Sequence, residues 1–275
     1  LRHACAGEEG NLCNEGEGLM GTSASSAGPG ANVSFDPPWL NDIPVGGAGQ
    51  VDGGASAPAE APAEGVAPAE RFRGARTSLG AFARNGDSGA LARAAGHYSR
   101  KGMGGARNVA ARMRTSTKAG AGLGSLLQAT RERSDPQINQ WMDALRATNP
   151  SAQTVIDAIV SRVLPEGGSV DEESAKDSMA QALSELMVLD PQVDLLTLQD
   201  AQIWTLMQLY LGHEACNRMY ADIGQLFESA RFDPAVVVQR TNEMRSFLKN
   251  AVAAQLDTLR QATPNPTRQQ LESLL

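Results

Sequence analysis

Aromatic residues, lysines, cysteines and long hydrophobic runs are all scarce in this sequence, and each shortage narrows what the protein is. Aromatics make up 4% of the 275 residues, and 28 Gly and 14 Pro further thin the material for a large mixed core. No run of about 18 apolar residues occurs, so no segment has the composition of a membrane-spanning helix. The nearest, Ala119 to Ala129, is short and built mostly of small residues. Residues 1–19 have neither a basic start nor an apolar run, the two marks of a secretory signal. The expectation is a soluble cytoplasmic protein with no membrane contact. Three cysteines, Cys5, Cys13 and Cys216, do not make a disulfide framework. Cys216 sits in an apolar helical stretch and reads as a small core residue. The 24 basic residues include only four lysines, at positions 101, 118, 176 and 249; with so much Ala and Gly, this suggests GC-rich coding DNA of a bacterial kind.

Recognisable catalytic chemistry is also missing. No GxxxxGK[ST] loop is present. "GAGLGS" at 120–125 lacks the GxGxxG spacing, and no strand precedes it, so it reads as a helix-packing stretch rather than a dinucleotide loop. "HEAC" at 213–216 begins like a zinc-binding helix, but the fifth residue is Asn217 where a histidine is needed. Beyond the first 19 residues only His97 and His213 are available, with no cysteine pair beside them, so neither a metal nor another cofactor is expected. No Ser/His/Asp grouping emerges, and Asp171, Glu172 and Glu173 read as the acidic first turn of a helix. The expectation is a protein that is not an enzyme.

What is there is organised by charge. The net charge of −7 divides into −9 over residues 1–70, +11 over 71–133 and −9 over 134–275. Residues 20–70 are rich in Ser, Gly, Pro and Ala, too poor in apolar groups to offset chain entropy, and read as a long disordered acidic tail. One island interrupts it: Phe35, Trp39 and Leu40 around "DPPWL". Aromatic residues give much contact area for little entropy, so the island reads as a docking anchor for a partner, or as a segment that folds back on its own domain.

Residues 71–133 read as a basic Arg/Gly/Ala-rich helical segment. Leu79, Phe82 and Ala83 share one helical face; Leu91, Ala94, Ala95 and Tyr98 share another, with Ser88 as its cap. A further helix from about Gly105 carries Val109, Met113, Leu123, Leu126 and Leu127. The cations Arg71, Arg73, Arg76, Arg84, Arg100, Lys101, Arg107, Arg112 and Arg114 suit either phosphate contacts or a surface facing acidic protein. The second use is favoured, because both flanking segments are acidic.

Residues 134–275 read as an all-α domain. Asx-Pro pairs at 135–136, 149–150, 190–191, 233–234 and 265–266 suit helix starts, the Asx as cap and the Pro at the first helical position. Ile156, Ile159, Val160 and Val163 form one face; Ser169 with Glu172 makes a capping box before Met179, Leu183, Leu186 and Met187. Thr197 with Asp200 opens a helix bearing Ile203, Leu206, Met207, Tyr210 and Leu211, and a last helix carries Val237, Met244, Phe247, Leu248, Val252, Leu256 and Leu259. No stretch alternates with period two.

Taken together, "MGTSASSAGPG", "PPWL", "RFRGARTSLGAFARNGDSGALARAAGHYSRKGMGGARNVAARM", "LPEGGSVDEESAKDSM" and "LYLGHEACNRMYADIG" resemble the QatB family of the bacterial four-component Qat anti-phage defence system, in order from Met20 to about Leu259. The resemblance implies as partners a QueC-like enzyme, an ATPase and a TatD-like nuclease. QueC-type enzymes activate a 7-deazaguanine carboxylate with ATP and join it to an amine. Residues 1–19 depart from the family. Glu15-Gly16-Glu17-Gly18 reverse-translates to a purine-rich run just before the Met20 codon, so residues 1–19 read as an untranslated leader. The chain would then begin at Gly21-Thr22-Ser23. Together with the implied partner, this makes Gly21 the candidate modification acceptor and Thr22 and Ser23 candidate partner contacts. A nucleic-acid-binding sensor that uses residues 71–118 is the alternative.

Overall fold

The computed structural model describes residues 70–165, 168–228 and 232–262. Residues 1–69, with the leader, the tail, Gly21, Thr22, Ser23, Phe35, Trp39 and Leu40, lie outside the described residues, as does Asn265-Pro266. Among the described residues every regular element is helical and none is a strand, so the all-α expectation holds. The order is α1 (Arg73–Asn85), α2 (Ser88–His97) running into a π-helical turn (Tyr98–Gly102), α3 (Ala106–Arg112), α4 (Arg114–Glu132), α5 (Pro136–Ala147), α6 (Ala152–Val163), α7 (Val170–Leu189), α8 (Asp200–Ile223), a 3₁₀ turn (Gly224–Glu228) and α9 (Pro234–Ala262).

Several helix ends follow directly from their cap residues. Asp135 accepts from the Gln137 and Ile138 N–H groups ahead of Pro136. Ser169 and Glu172 form the reciprocal capping box, and Asp171, Glu172 and Glu173 complement the positive end of α7. Asp233 accepts from Ala235 N–H at the start of α9.

Four expected starts are corrected. Asp87 caps α2 by accepting from Gly89 N–H, and Ser88 is already helical. Asn149 takes φ 47°, and Ser151 caps α6 instead. Asp190 closes α7 and accepts from Gln192 N–H in a turn, because its Asx oxygen is used for the reversal. Thr197 donates to Asp194, and α8 opens from Gln199, whose N–H donates to Gln202 Oε1. The helix read from Gly105 is two helices broken at Met113, where φ −93° and ψ 12° leave the helical region.

Two cores share one spine. The first joins α4, α5, α6, α7 and the N-terminal half of α8, around Leu123, Leu127, Met142, Ile159, Met179, Leu183 and Tyr210. The second joins α1, α2, the C-terminal end of α8 and α9, around Leu79, Phe82, Leu91, Met219, Ile223 and Met244. At 24 residues, α8 is about 36 Å long, enough to run through both. The "GAGLGS" stretch lies inside α4. Gly120, Ala121, Leu123 and Gly124 are buried there, and Trp204 of α8 packs on Ala121, so its use is helix packing.

Candidate docking groove and the basic segment

The chain enters the described fold beside an apolar groove. Phe72 stacks on Tyr98 with ring centroids 5.8 Å apart. Gly102 makes this possible: a Cβ there would sit 2.6 Å from the Phe72 ring. The Tyr98 hydroxyl donates to Asp222 Oδ2 at 2.7 Å. Burial, with the Asp222 charge and this bond, pushes the Tyr98 phenol well above its ordinary range. The wide π turn and the Gly104-Gly105 pair, both at positive φ, then swing the chain away into α3.

Between the π turn, α3, α8 and α9 lies a groove of about 830 Å³. Val109, Met113, Leu211, Phe247, Leu248 and Val252 give it an apolar lining. Among the described residues no acidic side chain lines it, whereas Arg100 and Arg218 both do. Arg218 bonds the Arg112 carbonyl at 3.1 Å and pairs with Asp171 at 3.0 Å. Arg112 itself keeps a buried Nη1 with no hydrogen-bond partner among the described residues.

The nine cations singled out in the basic segment differ in exposure and in partner. Arg71 is 6% exposed, its guanidinium 4.9 Å from the centre of the Phe72 ring. Arg73 pairs with Glu70 at 2.9 Å. Arg76 reaches the Asp222 carbonyl at 3.4 Å and lies over Phe72. Arg112 and Arg114 are half-buried, while Arg84, Arg100, Lys101 and Arg107 are exposed on α1, the π turn and α3.

The titratable groups near α8 are tied into packing. His213 Nε2 meets Glu185 Oε2 at 2.9 Å, and Lys249 Nζ meets Glu185 Oε1 at 2.5 Å. Burial pulls the His213 imidazole below its ordinary value, against the raising effect of Glu185. Burial alone would raise the Glu185 carboxyl, but Lys249 and His213 outweigh it and hold the group low. Cys216 is buried and its thiol is pushed up by that burial, the environment of a packing residue. Among the described residues no three His, Cys, Asp or Glu side chains gather as metal ligands would.

The groove walls on α8 and α9 were not singled out in the sequence. A signal was present: α9 carries more apolar residues than Met244 and Leu256, the ones buried among its described side chains, and Phe247, Leu248 and Val252 stay half-buried.

The architecture is that of an all-helical protein with an apolar, cation-edged groove, a surface suited to binding. Residues 104–275, from the Gly104-Gly105 turn onward, match the family model described as Qat anti-phage system associated protein QatB, and the chain belongs to that family. The π turn at one wall of the groove precedes the matched region; the walls from α3, α8 and α9 fall within it. No curated protein and no solved structure matches the chain.

Proposed function

We propose that this component of the Qat anti-phage system acts without catalysis of its own, as a binding partner and substrate of the system's QueC-like enzyme. The observation that carries the reading is membership of the QatB family. Two features of the fold support it: the groove offers a contact surface, and Cys216 and His213 are held in packing roles. No helix among the described residues is long and apolar enough to cross a membrane.

In this reading Gly21 is the acceptor, in a chain read from Met20 with that methionine removed. Its α-amine attacks the activated carboxyl carbon of a deazaguanine-type group. An amide C–N bond forms, the activating group leaves with the carboxyl oxygen, and the amine gives its proton to solvent. Selectivity follows from acidity: an α-amine titrates near 8 and a lysine near 10.4, so the terminus offers about 200-fold more neutral amine at pH 7. Lys176 and Lys249 are further held by Glu173 and Glu185. Thr22 and Ser23 follow the acceptor into the partner site, and the ATPase and the TatD-like nuclease act in the same assembly. Intact mass spectrometry of the protein co-expressed with the other Qat components tests this. A chain starting at Gly21 with an added nucleobase-sized mass supports it, and an unmodified Gly21 ends it.

A further inference from the structure

We propose that the groove between the π turn, α3, α8 and α9 is the docking site for the protein's own N-terminal segment around Phe35, Trp39 and Leu40. Three observations lead to this occupant, and none depends on the chemistry at Gly21. The first is composition. Phe35 and Trp39 are the only aromatic residues before Phe72, so this is the one segment of the N-terminal chain with rings to fill an apolar groove.

The second is charge. Residues 35–42 carry Asp36 and Asp42 and no base, while among the described residues the groove is lined by the exposed Arg100 and by Arg218, itself paired with Asp171, and by no acid. A second copy of this face would instead set Arg100 and Arg218 against themselves.

The third is where the chain enters. Phe72 lies on Tyr98, and Tyr98 lines the groove, so the N-terminal chain reaches the fold one side chain from the site. The residues between Leu40 and Glu70 have an extended length of about 100 Å, so the connection does not restrict the approach. Because the segment belongs to the same chain, docking is intramolecular and gains from the effective concentration that this linker sets.

A photo-reactive benzoylphenylalanine at position 40 of the full-length protein tests the proposal. Irradiation of a mixture of isotopically light and heavy chains is followed by mass mapping of the cross-links. The expected product joins position 40 to the Phe247–Leu256 stretch or to Val109–Met113 within one chain. The cross-link should be lost in Ala251→Trp, which fills the groove from an exposed position, and weakened in Arg100→Glu, with the melting temperature of both variants unchanged. Light–heavy cross-links would show a second copy as the occupant and overturn the proposal. So would a product that forms only after another Qat component is added, or one that persists in both groove variants.

Discussion

Gly212 of α8 lies so close to Lys249 of α9 that a Cβ would stand 3.0 Å from the Lys249 Cα and 2.6 Å from its Cγ. This approach lets the two longest helices pack, and it sets Lys249 where it reaches Glu185 on α7. Replacing glycine by alanine inside a helix gains about 1 kcal/mol in propensity. At position 212 the gain is outweighed, because part of the obstacle is backbone and overpacking costs about 1–3 kcal/mol. Gly212→Ala is expected to lose about 1 kcal/mol, and Gly80→Ala to gain about 0.5–1 kcal/mol, since a Cβ there meets only Arg84 Nη1 at 3.5 Å. Urea melts of the two variants should move in opposite directions, and a stabilised Gly212→Ala would show that the helices are not closely packed.

The His213 cluster predicts how stability responds to acid. His213 faces Glu185 from α7, Lys249 and Arg245 from α9, and burial lowers its affinity for a proton on folding. The unfolded chain therefore binds that proton more readily. Stability from this group is full above the unfolded histidine value of about 6.5 and declines as pH falls below it. Glu185, also lowered, adds a second loss as pH falls below the ordinary carboxylate range. His213→Gln keeps a donor for Glu185 without titrating. Its melting temperature should lose the part of the slope between pH 7.5 and 5.5 seen in the unaltered protein; an unchanged slope would place the proton uptake elsewhere.

Local signals were readable where one side chain had one use. Ser169 with Glu172, and Asp135 before Pro136, each cap a helix as their spacing implies. Asp190 and Thr197 carry the same chemistry, but their side chains are engaged in turns, with Gln192 N–H and with Asp194, and Asn149 takes a positive φ while Ser151 supplies the cap. The break at Met113 has no Pro or Gly to mark it. The groove was hidden for a different reason: its walls come from elements far apart in sequence, as do the contacts beside it. Tyr98 with Asp222 and Arg218 with Arg112 are separated by 124 and 106 residues. Periodicity shows that Phe247 and Leu248 share a face of α9, but not what that face meets.

The Tyr98–Asp222 bond should be separable from the Phe72–Tyr98 stack. Tyr98→Phe keeps the ring on Phe72 and removes only the hydroxyl; a bond to a carboxylate is worth about 1.5–3 kcal/mol, so a loss in that range is expected. Tyr98→Ala should cost more, because it also opens the second core. Burial raises the Tyr98 and Tyr210 phenols well above the ordinary tyrosine value, so folding favours their protonated forms. Their stabilisation is complete below about pH 10 and fades as pH climbs past it. Denaturant melts of Tyr98→Phe that match the unaltered protein would remove the bond from the account.

The remaining prediction concerns the basic segment and nucleic acid. Log affinity for duplex DNA falls with log salt by about 0.9 per phosphate neutralised. If all nine of the cations singled out between Arg71 and Arg114 faced a duplex, the slope would approach about −8. The structure leaves fewer: Arg71 is buried, Arg73 and Arg76 hold Glu70 and the Asp222 carbonyl, and Arg112 and Arg114 are half-buried. Arg84, Arg100, Lys101 and Arg107 remain exposed, spread over three elements, on a protein whose other segments carry −9 each. Binding to duplex or single-stranded DNA should therefore be weak, with a slope no steeper than about −4, and should vanish at moderate salt. Fluorescence anisotropy across a salt series measures this. A slope near −8 with tight binding at low salt would require the cations to rearrange into one surface, and would favour a nucleic-acid-binding sensor over a protein-binding component.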